Sequence, residues 1–257
     1  MSTFARVIPT QLTVREIAAL IDHSLLRPEL TDDDVRRGCA LAAQHGTWSV
    51  CVRPADVAFA ARLLAGTSVA VGTVVGFPHG HSTTESKLFE TRQALYDGAR
   101  EIDMVINIGA LRGGKHDYVE DEIAQIVQAT HSAHGLAKVI LENAYLSDEQ
   151  IVEGSRLSER AGAEFIKTST GFAPGGATAH DLLLMVEATS PKVQIKAAGG
   201  VRTLDRLLEF VAIGVTRFGA TATTAILEEA TERSADGAAL PVPARHHDDG
   251  AAGAATD

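Results

Sequence analysis

Eight short runs rich in β-branched residues recur along the chain, each followed by a segment with helical patterning. This alternation limits the fold more than any other feature. The runs are IDHSLL (21–26), WSVCV (48–52), VAVGTVVG (69–76), EIDMVI (101–106), KVILEN (138–143), FIKTST (165–170), VQIKAAG (193–199) and TRFGA (216–220). Helical patterns cover 33–45, 55–65, 84–98, 118–134, 148–161, 179–188, 204–213 and 223–232. Gly46, Gly66, Gly98, Gly162 and Gly214 follow the helical stretches where C-caps are expected. Thr31 with Asp34 three residues on reads as a helix start. Strands alternating with helices form a parallel sheet, because only a crossover returns the chain to the same end.

Eight strand–helix units in about 220 residues fit a closed (β/α)8 barrel, the TIM-barrel architecture. An open dinucleotide-binding sheet would carry G-x-G-x-x-G after its first strand, whereas RPELTDDD, without glycine, follows IDHSLL. The expected organisation is one α/β barrel domain over residues 1–231. An extra N-terminal helix in TVREIAALI would close its bottom. The Ala-, Gly-, Pro- and Asp-rich residues 232–257 are expected to form a disordered tail.

Composition narrows the partners. A formal net charge of -10 argues against nucleic acid, whose binding draws on a basic face, but leaves room for a phosphorylated small molecule held by local donors. Two cysteines, Cys39 and Cys51, do not make a disulfide framework. The N-terminal stretch lacks the continuous apolar segment of a signal peptide, and no apolar run approaches the roughly 20 residues that span a bilayer. The expectation is a soluble, cytoplasmic protein without a membrane partner.

The chain has six lysines against seventeen arginines, and two of these scarce lysines, Lys167 and Lys196, fall in the middle of apolar strands. Side chains alternate along a strand. In EIDMVI, Ile102, Met104 and Ile106 share one face and Glu101, Asp103 and Val105 the other. In FIKTST, Lys167 opposes Ile166 and Thr168; in VQIKAAG, Lys196 opposes Ile195 and Ala197. The bland faces suit packing against outer helices, so Asp103, Lys167 and Lys196 are expected inside the barrel. The same parity turns Cys51, Lys138 and Glu142 inward. A lysine facing one carboxylate could be a buried ion pair filling the barrel. Two lysines and an aspartate beneath glycine-rich loops point to chemistry instead, since active sites of this fold lie at the strands' C-terminal ends.

An amine is nucleophilic only when neutral, and both burial and a neighbouring ammonium lower its pKa. A neutral amine can attack a carbonyl; the resulting iminium is an electron sink that lets an adjacent carbon–carbon bond break or form. Asp103 would move the protons. The expected class is an aldol cleavage or condensation that needs no metal or other cofactor. The last strands end in Thr170-Gly171, Gly199-Gly200-Val201-Arg202 and Gly219-Ala220-Thr221. Backbone donors at Thr170, Gly171, Gly199, Gly200, Val201, Gly219 and Ala220 would receive a phosphate. Asp22 and Cys51 are candidate pocket-lining residues, with Cys51 read as a small core residue rather than a nucleophile. His79-Gly80-His81 could belong to a zinc-dependent aldolase, but it offers no third ligand. His131 and His134 read as solvated, and His246-His247 sits in the tail.

At these residues the sequence resembles the deoxyribose-phosphate aldolase family. The resemblance is carried by IDHSLL, SVCVRP, VVGFPHG, TTESKLFE, DGAREIDMVINIGAL, KVILEN, AGAEFIKTSTGFAPGGAT, IKAAGGVRTL and RFGA, spanning residues 21 to 220. It implies a class I aldolase on a (β/α)8 barrel, independent of metal, that reversibly converts 2-deoxy-D-ribose 5-phosphate into acetaldehyde and D-glyceraldehyde 3-phosphate. It further implies Lys167 as the Schiff-base residue, Lys196 as its companion and Asp103 in proton transfer; the pattern alone does not choose between the lysines. It also implies a homo-oligomer, a dimer or larger. The chain departs from the family at Thr221-Ala222-Thr223, where serine is usual, and its tail has no tyrosine. Other readings are a Schiff-base aldolase for a different phosphorylated sugar or keto acid, and a non-catalytic sugar-phosphate-binding barrel.

Overall fold

Strands that are apolar on both faces must be covered on both faces, and a closed barrel ringed by helices does this. The computed structural model of the protein describes residues 6–245. Its elements run β1 (Gln11–Leu12), α1 (Val14–Ala18), β2 (Ile21–Leu25), α2 (Asp32–His45), β3 (Ser49–Val52), α3 (Val57–Leu63), β4 (Ala70–Val75), α4 (Thr84–Tyr96), β5 (Glu101–Val105) and α5 (Ile108–Arg112). They continue with α6 (His116–Ser132), β6 (Leu136–Ile140), α7 (Asp148–Arg160), β7 (Phe165–Lys167), α8 (Ala179–Ala188), β8 (Gln194–Ala198), α9 (Leu204–Ile213), β9 (Arg217–Ala220), α10 (Thr223–Arg233) and β10 (Leu240–Pro241). Strands β2 to β9 form a closed barrel in sequence order. All pairs are parallel, and β9 closes on β2 with Phe218 opposite Ile21. All eight expected strands are present, in the expected (β/α)8 order.

The strand parity holds. Ile102, Met104, Ile166, Ile195 and Phe218 are fully buried in the core between sheet and helices. Helix ends follow local chemistry. Thr31 and Asp34 form a reciprocal capping box at α2, and Gly46 ends that helix in the left-handed region at φ 67°. Helix α1 begins with a second capping box, Thr13 with Glu16, and packs against α10 near the N-terminal ends of the strands. No helix among the described residues is long and apolar enough to cross a membrane.

Three boundaries differ from the expected ones. FIKTST is a strand only through Lys167, because Thr168 turns its hydroxyl into the sheet, donating to Ala198 O and accepting from Ala198 N, both at 3.1 Å. KVILEN ends its strand at Ile140, and Glu142 adopts left-handed backbone at φ 59°. The expected break at residue 231 falls inside α10. Residues 232–245 belong in part to ordered elements, since β10 pairs antiparallel with β1 and buries Leu240 with Leu12. This corrects the expected disorder over that stretch; residues 246–257, including His246-His247, lie outside the described residues.

Candidate active site

The barrel interior holds charged side chains from six strands, β2 and β5 to β9. Pairing register sets Asp103 beside Lys138, Lys167 beside Lys196, and Lys196 beside Arg217. Asp103 is the hub. Its Oδ2 accepts from Lys167 Nζ at 2.9 Å and from Lys196 Nζ at 2.7 Å, and its Oδ1 accepts from Lys138 Nζ at 2.7 Å. Lys196 also donates to Asp22 Oδ2 at 2.5 Å, and Lys138 to Glu101 Oε2 at 2.6 Å. Arg217 donates to Asp22 Oδ1 at 2.9 Å and lies over the rings of Trp48 and Phe165, which close the cluster from below.

Three carboxylates (Asp22, Glu101 and Asp103) therefore face four bases (Lys138, Lys167, Lys196 and Arg217), all buried. With every group ionised the cluster would carry one excess positive charge, and an uncompensated buried charge is costly. Of the four bases, Lys167 is the one whose pKa is lowered. Burial is the main force lowering its pKa; Asp103 opposes, and Lys196 adds to the lowering. Burial acts the same way on Lys196, but Asp103 and Asp22 outweigh it and the pKa rises. For Lys138 the carboxylates of Asp103, Glu101 and Asp22 likewise overcome burial. Burial would raise the pKa of Asp103, yet the three lysines hold it well below the usual carboxylate range. Desolvation, more than the twin ammonium, depresses Lys167.

Lys167, Lys196 and Asp22 open into a cavity of about 170 Å³ at the C-terminal ends of the strands. Thr170, Gly171, Gly199, Gly200, Val201, Gly219 and Cys51 also line it. Asp103 does not; it is bonded behind the two lysines. Ala220 is the expected site residue that is not brought to the cavity: its backbone pairs with His23 on β2 and its side chain is buried. Sequence reasoning missed Arg27, Phe172 and Arg202 at the rim. Phe172 meets Phe77 edge to face at 5.2 Å, joining the loops after β7 and β4.

The glycines are needed where they stand. Gly199 and Gly200 both have φ near +80°, at 80° and 83°, a conformation strained for other residues. A Cβ on Gly176 would lie 2.4 Å from Gly199 O. The close approach is fixed by Ala177 N, which donates to Ala198 O at 3.1 Å and Gly199 O at 3.0 Å. A Gly176→Ala variant is expected to lose about 1–3 kcal/mol of stability through overpacking, read by urea unfolding.

The loop after β9 begins with Thr221-Ala222 and leads into Thr223 at the start of α10. Thr221 lines the cavity. The Thr223 hydroxyl is engaged by His23 Nδ1 at 2.9 Å. Burial lowers the His23 pKa to about 4, so this ring is neutral at physiological pH. Ala222 gives α10 no side-chain cap, leaving its first N–H groups without one. Glu142 lies beyond the alternating strand rather than inside the barrel. Its carboxylate accepts from the backbone N–H and hydroxyl of Thr170, shaping the loop that carries Gly171 and Phe172. Burial raises the Glu142 pKa despite the Thr170 bonds. The Cys51 thiol is pushed up to about 11, chiefly by burial, and stays protonated at neutral pH. His79 and His81 stack on one another, and among the described residues no group of three or more His, Cys, Asp or Glu side chains is placed to hold a metal ion.

Fold and site together define a (β/α)8 barrel with an amine-lined cavity at its catalytic face. The family model described as DeoC/LacD family aldolase matches residues 17–229. A Bacillus mycoides deoxyribose-phosphate aldolase is 49% identical over 211 residues, covering 82% of this chain and 94% of the relative. A Bacillus cereus deoxyribose-phosphate aldolase matches with the same identity and coverage. The solved deoxyribose phosphate aldolase of Aeropyrum pernix, described as a unique tetramer, is 28% identical with a TM-score of 0.80, covering 87% of this chain and 94% of that one. The chain belongs to the DeoC/LacD aldolase family.

Proposed function

We propose that the protein is a class I aldolase that reversibly cleaves 2-deoxy-D-ribose 5-phosphate to acetaldehyde and D-glyceraldehyde 3-phosphate, with Lys167 as the Schiff-base residue. The observation that carries this reading is the contrast among the interior lysines. Lys138 and Lys196 have raised pKa values, whereas Lys167, open to the cavity, has a lowered one. That contrast supports a choice between the two strand lysines that the sequence pattern left open.

In the proposed sequence the neutral Lys167 Nζ attacks C1 of the open-chain sugar and forms a carbinolamine. Loss of water leaves a protonated iminium. Removal of the C3 hydroxyl proton lets the C2–C3 bond break, its electrons passing into the iminium to give an enamine. D-glyceraldehyde 3-phosphate leaves with the new carbonyl at C3. The enamine takes a proton at C2, and water hydrolyses the iminium to acetaldehyde and free Lys167. Asp103, held ionised by its lysine partners, stabilises the cationic intermediates and can pass protons through a water in the cavity. The glycine loops after β7 and β8, with Gly219 on β9, Arg202 and the uncapped start of α10, supply donors for the phosphate.

The test is borohydride reduction in the presence of acetaldehyde, followed by peptide mapping. The expected adduct is on Lys167; an adduct on Lys196, or none, overturns the assignment. Turnover is expected to survive a chelator, because the iminium supplies the electron sink. A donor panel of ketones and keto acids separates this activity from that of another Schiff-base aldolase. The tetrameric relative supports reading the protein as a homo-oligomer, testable by light scattering, and the enzyme is read as cytoplasmic.

A further inference from the structure

Two rim cations remain outside the balanced cluster. Arg27 follows β2 and Arg202 follows β8; both side chains are exposed, line the cavity, and have no ion-pair partner among the described residues. In the barrel β9 lies between β8 and β2. The two arginines therefore flank the C-terminal end of β9, with Gly219, and the loop after it, which carries Thr221 and the uncapped start of α10. The loop bearing Arg27 is also tied in place. Arg53, in the loop after β3, donates from Nη1 to Pro28 O at 3.0 Å and to Arg27 O at 3.4 Å, and its Nε is fixed by Asp56 Oδ2 at 2.6 Å.

An unpaired guanidinium on a tethered loop is unexpected as mere solubilising charge in a protein of net charge -10. It suits a ligand that brings its own negative charge, and the planar fork of arginine matches phosphate oxygens. We infer that Arg27 is a specificity-determining residue: it grips the terminal phosphomonoester of the substrate from the β2 side, opposite the glycine-rich loop that bears Arg202, and selects phosphorylated over unphosphorylated sugars. Arg53 acts through it, as a positioning residue. The inference rests on the phosphorylated-sugar reading given above.

The test compares the wild type with Arg27→Met, Arg27→Lys and Arg92→Met, the last removing an equal charge from the exposed face of α4. Each is assayed on 2-deoxyribose 5-phosphate and on unphosphorylated 2-deoxyribose, and its binding of inorganic phosphate is measured by calorimetry. Arg27→Met is expected to raise KM for the phosphorylated sugar about 10- to 100-fold, the range for a charge-assisted contact, with kcat nearly unchanged. Phosphate binding should weaken by a similar factor, and the unphosphorylated sugar should be unaffected. Arg27→Lys should recover part of the loss, and Arg92→Met should match the wild type. Equal losses on both sugars, or unchanged phosphate binding in Arg27→Met, overturn the inference. A wild type that cleaves neither sugar refutes the proposed function instead, and the calorimetry still decides whether Arg27 holds phosphate.

Discussion

At pH 7 a Lys196→Met variant is expected to lose about 100-fold or more of kcat/KM, the scale for removing a group that sets protonation at the reacting atom. The acid limb of its pH profile is expected to move to higher pH. Two changes act on Lys167 in the same direction. The repulsion from Lys196 that helps lower its pKa disappears. Asp103 Oδ2, which had accepted from both amines, is left with Lys167 as its lysine donor and pulls harder on its proton. The charge count agrees: three carboxylates would face three bases, and the surplus that favoured a neutral amine is gone. The fold should persist, since Asp22 keeps Arg217 at 2.9 Å and Lys138 at 3.5 Å. Raising the pH should therefore restore much of the rate. Lys167→Met, in contrast, should be inactive at every pH and give no borohydride adduct. A Lys196→Met profile that drops by one factor at all pH values would show that Lys196 only fills space.

The barrel was legible because each strand, covered on both sides, reads as a short apolar run, and glycines mark where helices stop. The inward position of Asp103, Lys167 and Lys196 was legible for a related reason: in such a strand a charged residue has only the interior to occupy. Alternation stopped being a guide where the strands stop. Glu142 turns left-handed past Ile140 and points its carboxylate to Thr170, and Ala220 stays paired with β2 instead of facing the cavity. The partners of the lysines were hidden, because register across the barrel depends on closure. Nothing local says that Asp22 meets Lys196 174 positions away, or that Arg217 meets Asp22 from the end of the chain. Lys87, the fourth buried lysine, belongs to another network. It reaches Val105 O at 2.8 Å and Glu122 at 2.9 Å, binding α4 and α6 to the end of β5. On a weakly patterned helix such as α4, its burial leaves no trace in the sequence. Two-residue strands such as β1 and β10 carry no periodicity at all.

Asp103→Asn is expected to be the most destabilising single change in the cluster, costing roughly 3–5 kcal/mol and lowering Tm by about 10 °C. The substitution nearly preserves shape, so the loss is electrostatic: two carboxylates would then face four buried bases. The sign with pH follows from the two pKa shifts. The Asp103 pKa is depressed in the folded state, so its contribution is complete above the ordinary aspartate value and is lost only as pH falls through the much lower folded one. Neutral pH thus shows the full deficit. Lys167 has a folded pKa below its unfolded one, and without Asp103 to raise it that pKa drops further. The unfolded chain then holds a proton that the folded one has released, so the variant gains stability as pH rises toward the ordinary lysine value. Urea unfolding of wild type and variant across pH should show a gap that narrows on the alkaline side. Borohydride trapping on Lys167 should survive, because the amine is more readily neutral, while turnover falls for want of the carboxylate. Asp34→Asn, at an exposed capping box, should cost far less than Asp103→Asn, with no such dependence on pH above 6. If the gap stays constant or widens as pH rises, the surplus-charge account of why Lys167 is the neutral amine is wrong.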